Sequence, residues 1–330
     1  MPAFDKAEFL FKATRSEAGL NHGQEWVLDT GIEIDEGPVR CFAHESGQIG
    51  LIIPSAKEHF EAFQEDRKST AIHLIKGKQQ TDARTLFHTR LTLRDWHQKT
   101  IFYFFCDQIL KFLDDTPHAT PADIAAQLAN WRRFFAGHGA TKISQEIEVG
   151  LLCELEVLLQ LFEDGHPNPI EAWHGPLNDR HDFELSESAV ECKASASAEK
   201  MHLTIHGAFQ LQTLNNKPLH LVFRRYSKHP DGDVSIPLLL DKLQEFSNFN
   251  IELFLERSQN LGIDFFNAQA RSSFERYFAI DVYQFEVSDD FPHVKLTNDD
   301  NRIQNLQYTI DLAGPSAVPG FVPTPTFIKK

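Results

Sequence analysis

Residues 142–163, KISQEIEVGLLCELEVLLQLFE, constrain the fold more than any other stretch. Ile147, Leu151, Leu155, Leu158 and Phe162 recur at intervals of three and four and predict a helix with one apolar ridge. At roughly 100° per residue, Glu154 falls on the shoulder of that ridge, about 60° from Leu151, while Glu156 points away. Gly165 and Pro167 end the helix. The chain beyond it reads as β: IEAW (170–173), a turn HGPLND, DFEL (182–185), a short turn, and AVECKAS (189–195). The expected fold class is therefore α/β, a mixed sheet flanked by helices.

Around this centre the periodicity changes twice. Between residues 26 and 54, WVLDTGIEI, VRCFAHES and QIGLIIP read as short strands separated by Asp35-Glu36-Gly37-Pro38 and Ser46-Gly47; 70–77 and 84–93 read as further strands. Ile101, Phe105, Ile109, Phe112 and Leu113 then predict a helix over about 97–114, stopped by Thr116-Pro117. A second helix is expected over 122–135, with Thr120 as N-cap and Pro121 at the first helical position. The stretch AGHGAT (136–141) marks the main boundary. Beyond the β stretch, helices are expected over 206–215, 236–246 and 248–260, and strands over 219–225 and 278–287. Pro315, Pro319, Pro323 and Pro325 suggest an extended C-terminal tail. The expected organisation is a β-rich region with linker helices (1–136), a core (137–235), and an α/β extension with a Pro-rich tail (236–330).

Composition removes several functions. A net charge of −15 excludes a generally basic nucleic-acid coat, though not a local basic groove. With 42% hydrophobic and 24% charged residues the chain reads as an ordinary globular protein, and its 28 Phe against 5 Tyr read as core filler. Cys41, Cys106, Cys153 and Cys192 form no CxxC pair, which disfavours a zinc ribbon or a thioredoxin-type site and fits reduced thiols in the cytoplasm. The charged N-terminal stretch MPAFDKAEFLFKATRSE has no apolar core of a signal peptide, and no run approaches the ~18 apolar residues of a membrane span. Among 16 histidines there is no HExxH, and the chain has no Walker A motif and no GxGxxG.

The chemistry concentrates in Glu154, Asp182 and Glu191-Cys192-Lys193. Glu191 and Lys193 stand two apart on one strand and leave the same face. A short hairpin would bring Asp182 beside Glu191. Two hard carboxylates at neighbouring strand positions suit Mg²⁺, with Mn²⁺ as a plausible substitute. A lysine beside them would help supply a hydroxide nucleophile for phosphodiester hydrolysis. Glu154 could hold a metal-bound water or a second ion. The triplet sits in an apolar strand, where burying a glutamate and a lysine is costly without a purpose. A structural Glu–Lys pair on an edge strand remains the alternative. The comparable triplet Asp66-Arg67-Lys68 lies in a charged run and reads as a solvated face.

GLLCELEVL (150–158), EAWHGPLNDRHDFEL (171–185) and AVECKAS (189–195), in that order, resemble the PD-(D/E)XK nuclease superfamily. More narrowly they resemble a group of bacterial PD-(D/E)XK proteins of about this length, which occur beside helicases, methyltransferases and ATPases in restriction-type phage-defence systems. The match is closest over about 145–225. The resemblance implies a restriction-endonuclease-like core in which Asp182, Glu191 and the main-chain carbonyl of Cys192 are metal ligands. It makes Lys193 the catalytic lysine and Glu154 the helix carboxylate of the site. It also matches Gln210 to a polar helix position facing the cleft. His181 stands where the superfamily name has proline, which leaves it near the cleft as a candidate contact, with a strand-edge histidine bonded to solvent preferred over a catalytic role.

Arg224, Arg225 and Lys228, and Arg132 and Arg133 on the linker helix, are candidate phosphate contacts that also read as solvated edges. His229–Asp233 reads as a turn rather than a metal loop, and Trp173–Pro176 as a packed turn with His174 a remote candidate for supporting the site from behind its ligands. The expected activity is Mg²⁺-dependent cleavage of DNA, in company with helicase, ATPase or methyltransferase partners, away from membranes, with a homo-oligomer possible. A non-catalytic DNA-binding or scaffold subunit and an RNA-directed nuclease are the alternatives.

Overall fold

The alternation of apolar and turn residues between 25 and 93 produces an antiparallel sheet, and the long apolar helix pattern after residue 142 produces a second layer system. A computed structural model describes residues 6–18, 25–81, 84–135, 143–177, 179–197, 201–207, 209–213, 217–294, 306–314 and 318–322. The chain divides into two units, one of residues 1–139 with 264–271, the other of 140–263 with 272–330.

The first unit begins with a helix that the sequence pattern does not announce, α1 (Lys6–Ala18). Strands β1 (Glu25–Ile34), β2 (Gly37–His44), β3 (Ile49–Pro54), β4 (Ile72–Gln80) and β5 (Thr85–Leu93) form one sheet in the order β1-β2-β3-β5-β4, with every pair antiparallel. A short helix α2 (Lys57–Ala62) joins β3 to β4. The apolar face is covered by α1 and by α3 (Lys99–Asp115), where Phe11 stacks on Tyr103 at 5.6 Å and Asp107 Oδ1 accepts from the Ala7 N–H at 2.9 Å. Helix α4 (Pro121–Trp131) starts as expected, with Thr120 and Asp123 in a reciprocal capping box and proline in the first turn. It gives way to a 3₁₀ turn at Arg132 rather than continuing to Phe135. Residues 264–271 join this unit through Asp264, which accepts from Gln98 Nε2 at 3.0 Å, and Phe266, edge-on to Phe104.

The expectation of a solvated Asp66-Arg67-Lys68 is corrected at Asp66. Its side chain is buried and paired with Arg132. Arg132 is thereby committed within its own unit. The AGHGAT stretch and the Arg133 side chain lie outside the described residues.

The second unit is built on α5 (Gln145–Glu163), capped by Ser144, whose Oγ accepts from the Ile147 N–H. The buried ridge runs from Leu151 to Phe162, but Ile147 is 53% exposed. At that end the inward position belongs to Glu148, whose carboxylate accepts from the Glu275 N–H at 2.6 Å and the Tyr277 hydroxyl at 3.1 Å. After α5 comes α6 (Pro169–Ala172), where a strand was expected; Pro169 in the first turn and Ile170 packed inward favour a single helical turn. Next in the chain are strands β6 (Phe183–Glu184), β7 (Ala189–Ser195), β8 (His202–His206) and β9 (Leu219–Lys228), then α7 (Ile236–Gln244), α8 (Ile251–Ser258) and α9 (Ala268–Ser273), the last spanning the boundary between units. The chain ends with β10 (Tyr277–Glu286), β11 (Gln307–Asp311) and β12 (Phe321–Val322).

The central sheet has the order β12-β10-β9-β7-β6. Pair β7–β9 is parallel and its neighbours are antiparallel, so the sheet is mixed. The crossover between the two parallel strands (residues 196–218) contains β8, which pairs with β11 in a separate two-stranded sheet. Helix α5 packs on β7. Among the described residues of 206–215 the expected helix does not form: Gly207 takes a φ of +106°, outside the helical region, and the Gln212 N–H donates to the Phe209 carbonyl in a turn. Part of the expected tail is a strand, since Phe321 and Val322 pair with β10; Pro315, Pro323 and Pro325 lie outside the described residues. No helix among the described residues is long and apolar enough to cross a membrane.

Candidate active site

The site grows from the junction of α5, β6 and β7. Phe183 pairs with Val190 and Glu184 with Ala189, so the residue before the pair, Asp182, faces the Glu191 end of β7. The Cys192 N–H donates to Asp182 Oδ2 at 2.7 Å and ties that carboxylate to the strand. On the same face of β7, Lys193 Nζ donates to Glu191 Oε1 at 2.6 Å. Glu191 is only 1% exposed, in a strand whose parallel partner, β9, is itself buried.

The third carboxylate comes from α5. Glu154 Oε2 accepts from the indole N–H of Trp173 at 2.7 Å. Trp173 is fully buried, stacks on Phe254 at 5.4 Å, and receives a hydrogen bond on its carbonyl from Arg257. The next two residues bind the other acid: the N–H groups of His174 and Gly175 both donate to the Asp182 carbonyl, at 2.7 and 3.1 Å. Gly175 also supplies space. A Cβ there would stand 2.2 Å from Glu154 Oε2 and 3.0 Å from Asp182 Oδ1, so the two carboxylates converge on a position that only glycine leaves clear. Trp173 and Gly175 read from sequence as a packed turn. The available signal was Trp173, because a buried indole N–H needs an acceptor.

Crowding three acids around one ammonium out of water has electrostatic consequences. Burial, reinforced by the Asp182 charge, pushes Glu191 up to about 8. Burial also raises Asp182, against the pull of Lys193 and the Cys192 N–H. Glu154 is raised well above the usual carboxylate range by burial and by Asp182, against its bond from Trp173. Burial pulls the Lys193 ammonium down, but the charges of Glu191 and Asp182 outweigh it and hold it above its ordinary value. Burial and mutual repulsion thus disfavour the ionised carboxylates, and a cation sharing the site would remove that penalty and displace their protons.

The donor set fits a hard divalent ion. Asp182 and Glu191 offer carboxylate oxygens, the donor class such an ion takes. Among the described residues, no group of three or more His, Cys, Asp or Glu side chains is arranged to hold a metal. The arrangement is thus one of two carboxylates with Glu154 alongside, rather than a ready cage of three.

The remaining candidates lie elsewhere or are occupied. His181 is buried, not solvent-bonded as expected: Nδ1 meets Glu184 Oε1 at 2.8 Å and Nε2 meets the Gln212 carbonyl at 3.1 Å. Gln210 is on a turn, not a helix, and its Oε1 accepts from the His206 N–H at 3.0 Å. Arg224 pairs with Glu156 on α5 at 3.3 Å, and the same carboxylate accepts from the Tyr226 hydroxyl. Arg225 pairs with Asp281, and Lys228 with Glu275 at 2.7 Å. Glu156 thus faces β9, where the helical spacing turned it away. His174 pairs with Asp179 at 2.6 Å, and the 229–233 segment is a turn as expected.

A family model described as "Putative PD-(D/E)XK family member" matches residues 29–313. No curated protein and no solved structure matches the chain.

Proposed function

The chain belongs to this PD-(D/E)XK family, and from that premise we propose that it is a divalent-metal-dependent nuclease that hydrolyses phosphodiester bonds of DNA. The observation that carries the proposal is the joining of Asp182 to the Cys192 N–H and of Glu191 to Lys193 on one buried strand face, with Glu154 brought in by Trp173. Buried carboxylates at this density are costly as a structural device and useful as an ion-binding one.

Asp182, Glu191 and the Cys192 carbonyl would hold the ion, Mg²⁺ or Mn²⁺. When bound, such an ion neutralises phosphate charge and makes water a stronger nucleophile at neutral pH. Lys193 keeps its ammonium against Glu191, where it serves as a donor and a positive charge for the phosphate in the transition state. Trp173 holds the Glu154 carboxylate through Oε2, and the bonds from His174 and Gly175 fix the Asp182 backbone.

The charge of −15 opposes binding of free DNA except through local contacts, because phosphate contacts dominate affinity. That supports a subunit delivered to DNA by a partner, a helicase, ATPase or methyltransferase of a restriction-type defence system. The test is a digestion panel of single- and double-stranded DNA and RNA with the full chain, in Mg²⁺, Mn²⁺ or EDTA. Metal-dependent cleavage of DNA that Asp182→Asn abolishes is the expected result. RNA-only cleavage would move the substrate class. Equal cleavage by wild type and Asp182→Asn would contradict the proposal.

A further inference from the structure

Beside the candidate site stands an exposed aromatic ring that neither core packing nor the carboxylate cluster uses. Phe209 is 53% exposed at the tip of the turn after β8. The guanidinium of Arg180 lies over its ring, 5.2 Å from the centroid. An isolated exposed phenylalanine needs no explanation. This one stands on a turn bonded to the segment that leads into Asp182.

Three links place it there. Arg180 is two residues before Asp182 in the sequence. The turn carrying Phe209 is tied to the residue between them, through the His181 Nε2 bond to the Gln212 carbonyl at 3.1 Å. The turn is braced internally by the Gln210 side chain on the His206 N–H and by the Gln212 N–H on the Phe209 carbonyl. Leu177, two residues past Gly175, is also exposed. A ring with a cation over it offers a base a stacking surface and a phosphate a positive charge, the pairing by which single strands are held without sequence preference.

We infer that Phe209 and Arg180 form a stacking platform for an unpaired nucleotide, so that the strand entering the site is single-stranded or locally frayed DNA. This rests on the nuclease reading above, and it names the substrate form that reading leaves open.

The experiment measures binding apart from cleavage. The full chain is titrated in EDTA against a fluorescein-labelled oligothymidylate and against a duplex of matched length, read by fluorescence anisotropy. Phe209→Ala is expected to weaken single-strand binding by about tenfold or more and to leave duplex binding within about twofold. Phe209→Trp is expected to keep the affinity, with its indole fluorescence quenched by the strand. Unchanged single-strand binding by Phe209→Ala, or a wild-type preference for the duplex, would overturn the platform. Cleavage of the same strand in Mg²⁺, by wild type and by Lys193→Ala, reads the nuclease proposal separately. A strand bound through Phe209 and never cut would overturn that proposal and leave the platform standing.

Discussion

The indole N–H of Trp173 donates to Glu154 Oε2 at 2.7 Å, and it joins the helix carboxylate of the site to the segment that binds the Asp182 backbone. Trp173→Phe keeps the ring stacked on Phe254 and removes the donor. Leaving a buried carboxylate without that bond costs about 1–3 kcal/mol. The expected outcome is a lower Tm together with slower DNA cleavage, and Glu154→Gln in the same background recovers part of the stability. A Trp173→Phe variant with wild-type cleavage would remove Trp173 from the positioning of Glu154.

Gly175 makes a steric prediction. Gly175→Ala puts a methyl group against Glu154 Oε2 and Asp182 Oδ1 and forces the carboxylates apart. Overpacking of this kind costs about 1–3 kcal/mol. Because both affected groups belong to the site, cleavage should fall by much more than the loss in Tm accounts for. Thermal melts beside single-turnover cleavage rates check this. A loss of stability with no loss of rate would mean that the two carboxylates do not act together.

Glu148 predicts a pH dependence of stability separate from the candidate site. Burial raises its pKa from an ordinary 4.5, against the bonds from the Glu275 N–H and the Tyr277 hydroxyl. The stability contributed by its neutral form is fully present below the unfolded value and is lost as pH rises through the folded one. Glu148→Gln cannot ionise. The Tm of the variant relative to wild type should therefore improve as pH rises above the ordinary 4.5, whatever its offset. A difference constant with pH would show that Glu148 does not titrate in this range.

Arg224 distinguishes a structural cation from a phosphate contact. It meets Glu156 at 3.3 Å and is mostly buried. Arg224→Met should lower stability by about 2 kcal/mol through the carboxylate it leaves, with DNA affinity unchanged. A fall in affinity with a salt dependence shallower by about one ion would instead make it a phosphate contact.

The sequence showed the parts that local patterns carry. Strands 25–93 announced themselves by alternation and turn residues, α5 by its ridge, and the pairing of Asp182 with β7 by the short turn before Glu191. Less visible were features decided by contacts between distant segments. Trp173 and Gly175 act on Glu154 and Asp182, respectively 19 and 7 positions away in the sequence, and no spacing rule relates them. HGAFQLQ has a helical look, yet Gly207 takes a positive φ and the described residues 209–212 form a turn bonded to His181. Strands β8 and β11 stabilise each other across a hundred residues, and either alone is a five-residue segment without a partner. Arg132, Arg224 and Arg225 read as open cations because their carboxylate partners, Asp66, Glu156 and Asp281, are remote in sequence.

The central claim is that Asp182 and Glu191 share one divalent ion. Calorimetric titration of the metal-free full chain with Mn²⁺, beside Asp182→Asn and Glu191→Gln, tests it most directly. The account predicts one site in the wild type that Asp182→Asn abolishes and Glu191→Gln weakens more than about tenfold, with the fold retained in thermal melts. Equal Mn²⁺ affinity in all three proteins would contradict it.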